Sequence, residues 1–213
     1  YGSRGATNYS QLVRGWDNTV PAPHYGHDMG AQSPGPPPIP PDTRHDPVFM
    51  KKFSTSLTHF VAAAVELFAE QGYYRTTILD VARKAGVSSG LIYQYVTDKE
   101  DVLLLALMSV LDRYRQEIPR ALEGISDPLE RCFAAIRAYC HVVDQHRTAT
   151  VLAYRSTKSL PPDRREVIKQ SEIETNALVA ACLRACIAPG FFRAVNVNVV
   201  TYQMVTFAHA WAL

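Results

Sequence analysis

Residues 76–95, TTILDVARKAGVSSGLIYQY, constrain this chain more than any other stretch. They divide into two short amphipathic segments hinged on Gly86. Val81, Ala82, Ala85, Val87 and Ile92 occupy the positions where two crossed helices must touch. Ala82 is small enough to let the second segment approach the first closely. Gly86 falls where the backbone needs a left-handed turn, which a residue with a Cβ adopts reluctantly. Ser88 is placed to cap the next helix, and Ser89 and Gly90 keep its first turn slim enough for a DNA major groove. An ordinary helical hairpin would satisfy the periodicity, but it does not require a small residue, a glycine and a serine in this order. The pattern predicts a helix-turn-helix.

The rest of the chain divides by composition. Residues 1–45 hold most of the prolines, including PGPPPIPP at 34–41, and cannot form a periodic apolar face. An extended arm is expected there, either solvated or docked through Tyr1, Tyr9, Leu12, Val13, Trp16 and Tyr25. From Pro47 onward the periodicity is helical throughout, with segments over about 48–71, 77–84, 88–95, 98–122, 128–145, 147–158, 163–187 and 193–213. The fold class is all-α, with an arm over 1–45, a helix-turn-helix domain over 46–100 and a second helical domain over 101–213. Net charge is only +2, and residues 51–100 hold six bases against five acids. Binding to nucleic acid must therefore rest on arranged contacts and symmetry rather than on bulk charge.

The pattern LFAEQGYYRTTILDVARKAGVSSGLIYQYVTDKEDVLLLAL, within residues 57–107, resembles the DNA-binding domain of the TetR family of transcriptional regulators. Gly72, Thr76, Thr77, Ile78, Val81, Ala82, Ala85 to Ser88, Gly90, Tyr93, Tyr95 and Lys99 carry the likeness. The resemblance implies a homodimer whose third helices read two half-sites of a palindromic double-stranded operator. It also implies a second domain that provides the dimer interface and an inducer pocket. It assigns Thr77, Tyr93, Tyr95 and Lys99 to phosphates, with Thr76 beside them, and Ser88, Ser89, Gly90 and Gln94 to base edges. Hydroxyls, an ammonium and helix N-termini suit phosphates, and Gln suits adenine. Lys51 and Lys52, at the start of the first helix, are expected to add phosphate contacts.

Residues 150–165, TVLAYRSTKSLPPDRR, together with the ending HAWAL, resemble family members that answer to fatty-acyl-CoA thioesters. A charge argument points the same way. Between Gln145 and Leu160 the chain carries Arg147, Arg155 and Lys158 and no acid. Arg155 and Lys158 at a pocket mouth would pair with phosphates, above an apolar tunnel with Tyr139, His141, Tyr154, Tyr202 and His209 as polar points. The alternatives are a solvated basic face paired with Asp163 and Glu166, and a multidrug-type pocket for a cationic ligand, which would want buried carboxylates and aromatics.

An enzyme acting on acyl-CoA is the alternative from another class. No Ser-His-Asp grouping, phosphate-cradling glycine loop or metal-ligand cluster supports it, so neither a cofactor nor a metal is expected. Cys132, Cys140, Cys182 and Cys186 lie on helices without disulfide-framework spacing. With no long apolar run either, reduced thiols in a cytoplasmic protein without membrane contact are the expectation.

Overall fold

Most helices begin where the sequence supplies a side-chain cap. A computed structural model describes residues 47–93 and 96–212, with side chains from residue 55 onward. Within it the chain forms α1 (Pro47–Gln71), α2 (Ile78–Ala85), α3 (Ser89–Ile92), α4 (Lys99–Ala121) and α5 (Pro128–Gln145). After these come α6 (Arg147–Ser156), a 3-10 turn (Thr157–Ser159), α7 (Pro162–Ile187) and α8 (Val197–Ala210). No strand occurs among the described residues. The arm over 1–45 lies outside them.

Thr77, Ser88, Asp98, Asp127 and Asn196 each accept the backbone N–H three residues on, satisfying a donor that the first helical turn leaves without a partner. The Asn196 cap starts the last helix at Val197, four residues later than periodicity alone suggests. The third helix is likewise shorter than expected. Ser88 is its cap rather than its first residue, and Tyr93 already closes it.

Two apolar cores share one rod. The first joins Phe60, Ala64 and Leu67 of α1 to Val81, Ala82, Ile92 and Val96, and to Leu103 and Leu107 of α4. Leu152 of α6, Leu160 just after the 3-10 turn and Ile168 of α7 complete it. The second packs Tyr114 and Ile118 of α4 against Cys132, Tyr139 and Val142 of α5, Val179 and Cys182 of α7, and Val205 of α8. The helix α4, about 35 Å long at 1.5 Å per residue, therefore belongs to both cores. Arg115 of α4 is held at 3.0 Å by Asp112 and also bonds Ser171 of α7.

The outer surface of α8 is unusual for an exposed helix. It carries no Asp, Glu, Lys or Arg, buries Thr201 and Val205, and leaves Tyr202 69% and Phe207 76% exposed. Val199 and, on neighbouring α7, Ile173 are exposed as well. No described helix is long and apolar enough to cross a membrane.

Candidate DNA interface and ligand site

The reading head is built from local signals. The Thr77 hydroxyl accepts the Asp80 N–H at 3.1 Å, and an Asp80 carboxylate oxygen accepts the Thr77 N–H at 3.1 Å and the Thr77 O–H at 2.6 Å. This reciprocal box fixes the start of α2, and its hydrogen bonds hold the Asp80 carboxyl below its usual range. Gly86 ends α2 at φ 66°, and its N–H and that of Val87 return to the last carbonyls of the helix. Val81, Ala82 and Ile92 are almost fully buried where α2 meets α3. That packing leaves Thr77, Ser88 and Tyr93 exposed, with Ser89 and Gly90 half-buried. Arg75 and Arg83 are exposed on the same head, although the motif did not single them out.

Two of the expected contact residues make contacts within the fold. Thr76 is fully buried, and its hydroxyl donates to the carbonyls of Leu67 at 3.3 Å and Gly72 at 3.0 Å. It ties the turn between α1 and α2 to the core and presents nothing to DNA. Lys99 is half-buried beside the same turn. Its ammonium donates to the Tyr74 carbonyl at 3.3 Å and sits 4.5 Å from the centre of the Tyr73 ring, so it braces the same turn. Gln94 and Tyr95 lie outside the described residues, as do the side chains of Lys51 and Lys52.

In the second domain the structure gathers residues from four helices around one imidazole. The Tyr139 hydroxyl lies 2.9 Å from His209 Nε2, the Tyr114 hydroxyl 3.4 Å from the same atom, and the Tyr154 hydroxyl 2.9 Å from Nδ1. The Tyr114 and Tyr139 rings stack at 4.4 Å, and the buried Thr150 hydroxyl adjoins Tyr114. Burial lowers the His209 pKa to about 4 and raises that of Tyr114 to about 12, with Tyr139 and Tyr154 also raised. At neutral pH the cluster is therefore polar but uncharged. A neutral imidazole offers one N–H and one acceptor. Whichever nitrogen carries the proton donates to its tyrosine oxygen, and the other accepts a tyrosine O–H. Tyr154 is 48% exposed, so the cluster runs from the core to the surface.

Tyr139, Tyr154 and His209, expected from sequence, thus meet. Tyr114, which was not expected there, meets them too. Its spacing with Val110 and Ile118 marks it as core but cannot reveal a partner 95 residues away. Arg155 and Lys158 are exposed near Tyr154 in the chain, outside the cluster, and among the described residues neither is held by an acid. Glu166, an expected partner, bonds Lys169 at 3.3 Å instead. Tyr202 is exposed on α8. His141 does not join the cluster either. It lines a shallow depression with Arg137, Cys140, Asp144 and Trp211 on the outer side of α5. Desolvation raises the Glu172 carboxyl, whose field reaches Tyr139 and Tyr154.

A helix-turn-helix head joined by one shared helix to a helical domain with an internal polar cluster defines a DNA-binding regulator. Comparison with known proteins gives the family. Residues 60–106 match the family described as "Bacterial regulatory proteins, tetR family", and residues 126–212 match "Tetracyclin repressor-like, C-terminal domain". The chain is 60% identical over 153 residues to the HTH-type transcriptional regulator HbdR of Aromatoleum sp. (strain CIB), a match covering 72% of this chain and 67% of HbdR. Matches to the regulator BetI of Rhizobium meliloti (strain 1021) and to the fatty acid metabolism regulator protein of Bacillus subtilis (strain 168) each span 46% of those proteins, at 34% and 27% identity. Among solved structures, the fatty acid degradation regulator FadR from Bacillus halodurans superposes with a TM-score of 0.66 at 19% identity, covering 74% of this chain and 82% of that one. AibR, in complex with isovaleryl coenzyme A and operator DNA, superposes with a TM-score of 0.61 at 16% identity, covering 72% and 84%. The chain belongs to the TetR family of transcriptional regulators, which bind operator DNA as dimers and respond to small ligands.

Proposed function

We propose that this regulator is a repressor released from its operator by an acyl-CoA thioester or a closely related anionic, lipophilic ligand. The observation that carries the ligand class is the pairing of an uncharged polar cluster with exposed cations close by in the chain. Tyr154 takes part in the Tyr139–His209 cluster, while Arg155 and Lys158 stand exposed and, among the described residues, without an acid in salt-bridge range. A thioester has matching parts: phosphates for Arg155 and Lys158, and a carbonyl able to accept from Tyr154. AibR, with isovaleryl coenzyme A bound, is a fold neighbour that supports the reading. In the head, Thr77, Ser88, Ser89, Gly90 and Tyr93 form the face turned to the major groove. The exposed apolar surface of α7 and α8 mates with a second copy, which places two heads on grooves about 34 Å apart.

Fluorescence anisotropy on the DNA upstream of the gene tests this directly. Acyl-CoA thioesters should release the protein where the matching free acids do not, and Arg155→Ala with Lys158→Ala should weaken release while leaving operator affinity unchanged. One observation favours a second reading. The Glu172 carboxyl close to Tyr154 is a feature that a lipophilic cation would use. Release by cationic dyes and not by thioesters would select that reading and reject the first.

A further inference from the structure

The first turn of α7 has Pro162 and Asp163 in favourable places, but Pro161 precedes it without a side-chain cap and Arg164 adds a cation at the end of a helix that favours anions. Its anchorage comes from the other domain. Arg164 Nη1 donates to Asp98 Oδ1 at 2.6 Å, while Nη2 donates to Asp98 Oδ2 and pairs with Asp101 Oδ1, both at 2.9 Å. The two acids are themselves committed to one turn. Asp98 caps α4 through the Asp101 N–H at 2.8 Å, and Asp101 accepts the Thr97 N–H at 2.7 Å. That turn is the direct outlet of α3. The segment feeding α7 is fixed to the head as well, since Leu160 is buried in the head's core and Ser159 meets the Tyr74 hydroxyl at 3.4 Å. Arg155 and Lys158 lie immediately before it.

We infer that Arg164 is a clamp holding the α3–α4 turn in its DNA-reading orientation, and that ligand engaged near Lys158 acts on the operator by drawing Arg164 away from Asp98 and Asp101. Its second half rests on the ligand reading above, whereas the clamp itself does not. Arg164 is a positioning residue and touches no DNA. A guanidinium suits the place because its planar fork serves two carboxylates at once, which the single ammonium of lysine cannot do.

The test uses the whole chain without ligand, comparing wild type, Arg164→Lys and Arg164→Ala. Amide exchange at Thr97 and Asp101 should rise by about tenfold in Arg164→Ala, with α5 amides unchanged. Operator affinity should fall by about five- to tenfold, with the lysine variant in between. The salt dependence of binding should keep its slope, whereas loss of a phosphate contact would reduce it by about 1. Unchanged operator affinity with loosened amides would reduce the clamp to a staple and overturn the inference. So would unchanged exchange or a reduced slope. If Arg164→Ala does not fold, Asp101→Asn is read by the same criteria. A final arm adds isovaleryl-CoA. If it releases wild type, Arg164→Ala should show a smaller further loss of affinity, and an equal loss would sever clamp from ligand. Thioesters inert on the wild type would count against the ligand reading alone, because the exchange and affinity arms contain none.

Discussion

His209 should make the stability of this protein fall as pH drops through a range where most surface groups are silent. In the unfolded chain an imidazole takes up a proton near pH 6.5, whereas in the fold burial delays that event to about 4. Between these values the unfolded state binds more protons, so stability is fully present above 6.5 and is lost progressively down to 4. Integrating the difference from pH 7.5 to 5.0 gives a loss of about 2 kcal/mol, or roughly 5 °C in melting temperature for a chain of this size. His146, also lowered by burial, acts in the same direction, and Glu172, raised by burial, opposes it. Asp80 and Asp98, both lowered, contribute only at more acid pH. Comparison with His209→Gln isolates the imidazole. The variant loses a contact to Tyr154 at every pH, at a cost of about 1 kcal/mol, but its stability should be flatter between pH 7.5 and 5.0. Urea melts across that interval read the difference, and ring-proton NMR reads the titration itself. An imidazole titrating near 6.5, or a glutamine variant with the full wild-type slope, would refute the reasoning.

Three further outcomes follow from the geometry. Gly86→Ala should destabilise by about 1 kcal/mol from backbone strain alone, because nothing lies within 4 Å of an added Cβ, and Gly86→Asn should cost less in the same melt. Thr76→Val should cost about 1–2 kcal/mol in a urea titration and weaken operator binding no more than the lost folded fraction explains, since its hydroxyl serves the core. Asp112→Ala strands the partly buried Arg115 guanidinium and should cost roughly 3 kcal/mol. Removing the pair together in Asp112→Ala/Arg115→Met should recover much of that loss in thermal melts.

The head was legible because its determinants are local. Thr77 with Asp80, Gly86 and Ser88 act within four residues of themselves, and Gly86 and Ser88 do in the structure what their spacing predicts. Helix boundaries followed for the same reason, except where Asn196 captured the start of α8 and Tyr93 closed α3 early. The sites were legible in part. Thr76 and Thr77 are neighbours with the same hydroxyl, and only the packing of the turn beneath α1 decides that one is buried and the other exposed. Lys99 fits a phosphate contact by type and place, yet the Tyr73–Tyr74 turn 25 residues earlier takes its ammonium. The Tyr114–His209 and Arg164–Asp98 pairings bridge 95 and 66 residues, which no periodicity encodes.

The charge-free outer face of α8 bears on how copies of this chain find one another. Charges across an interface steer encounters and reject wrong partners, whereas apolar area adheres without discriminating. In the dimer proposed above, with Val199, Tyr202 and Phe207 outward and no Asp, Glu, Lys or Arg along the 14 residues of α8, fidelity of pairing would rest on the shape of that surface. A single carboxylate introduced there, at Thr206 for instance, would act as a veto on self-association, and a lysine at the same place in a second chain would turn an indiscriminate surface into an obligate heterodimer.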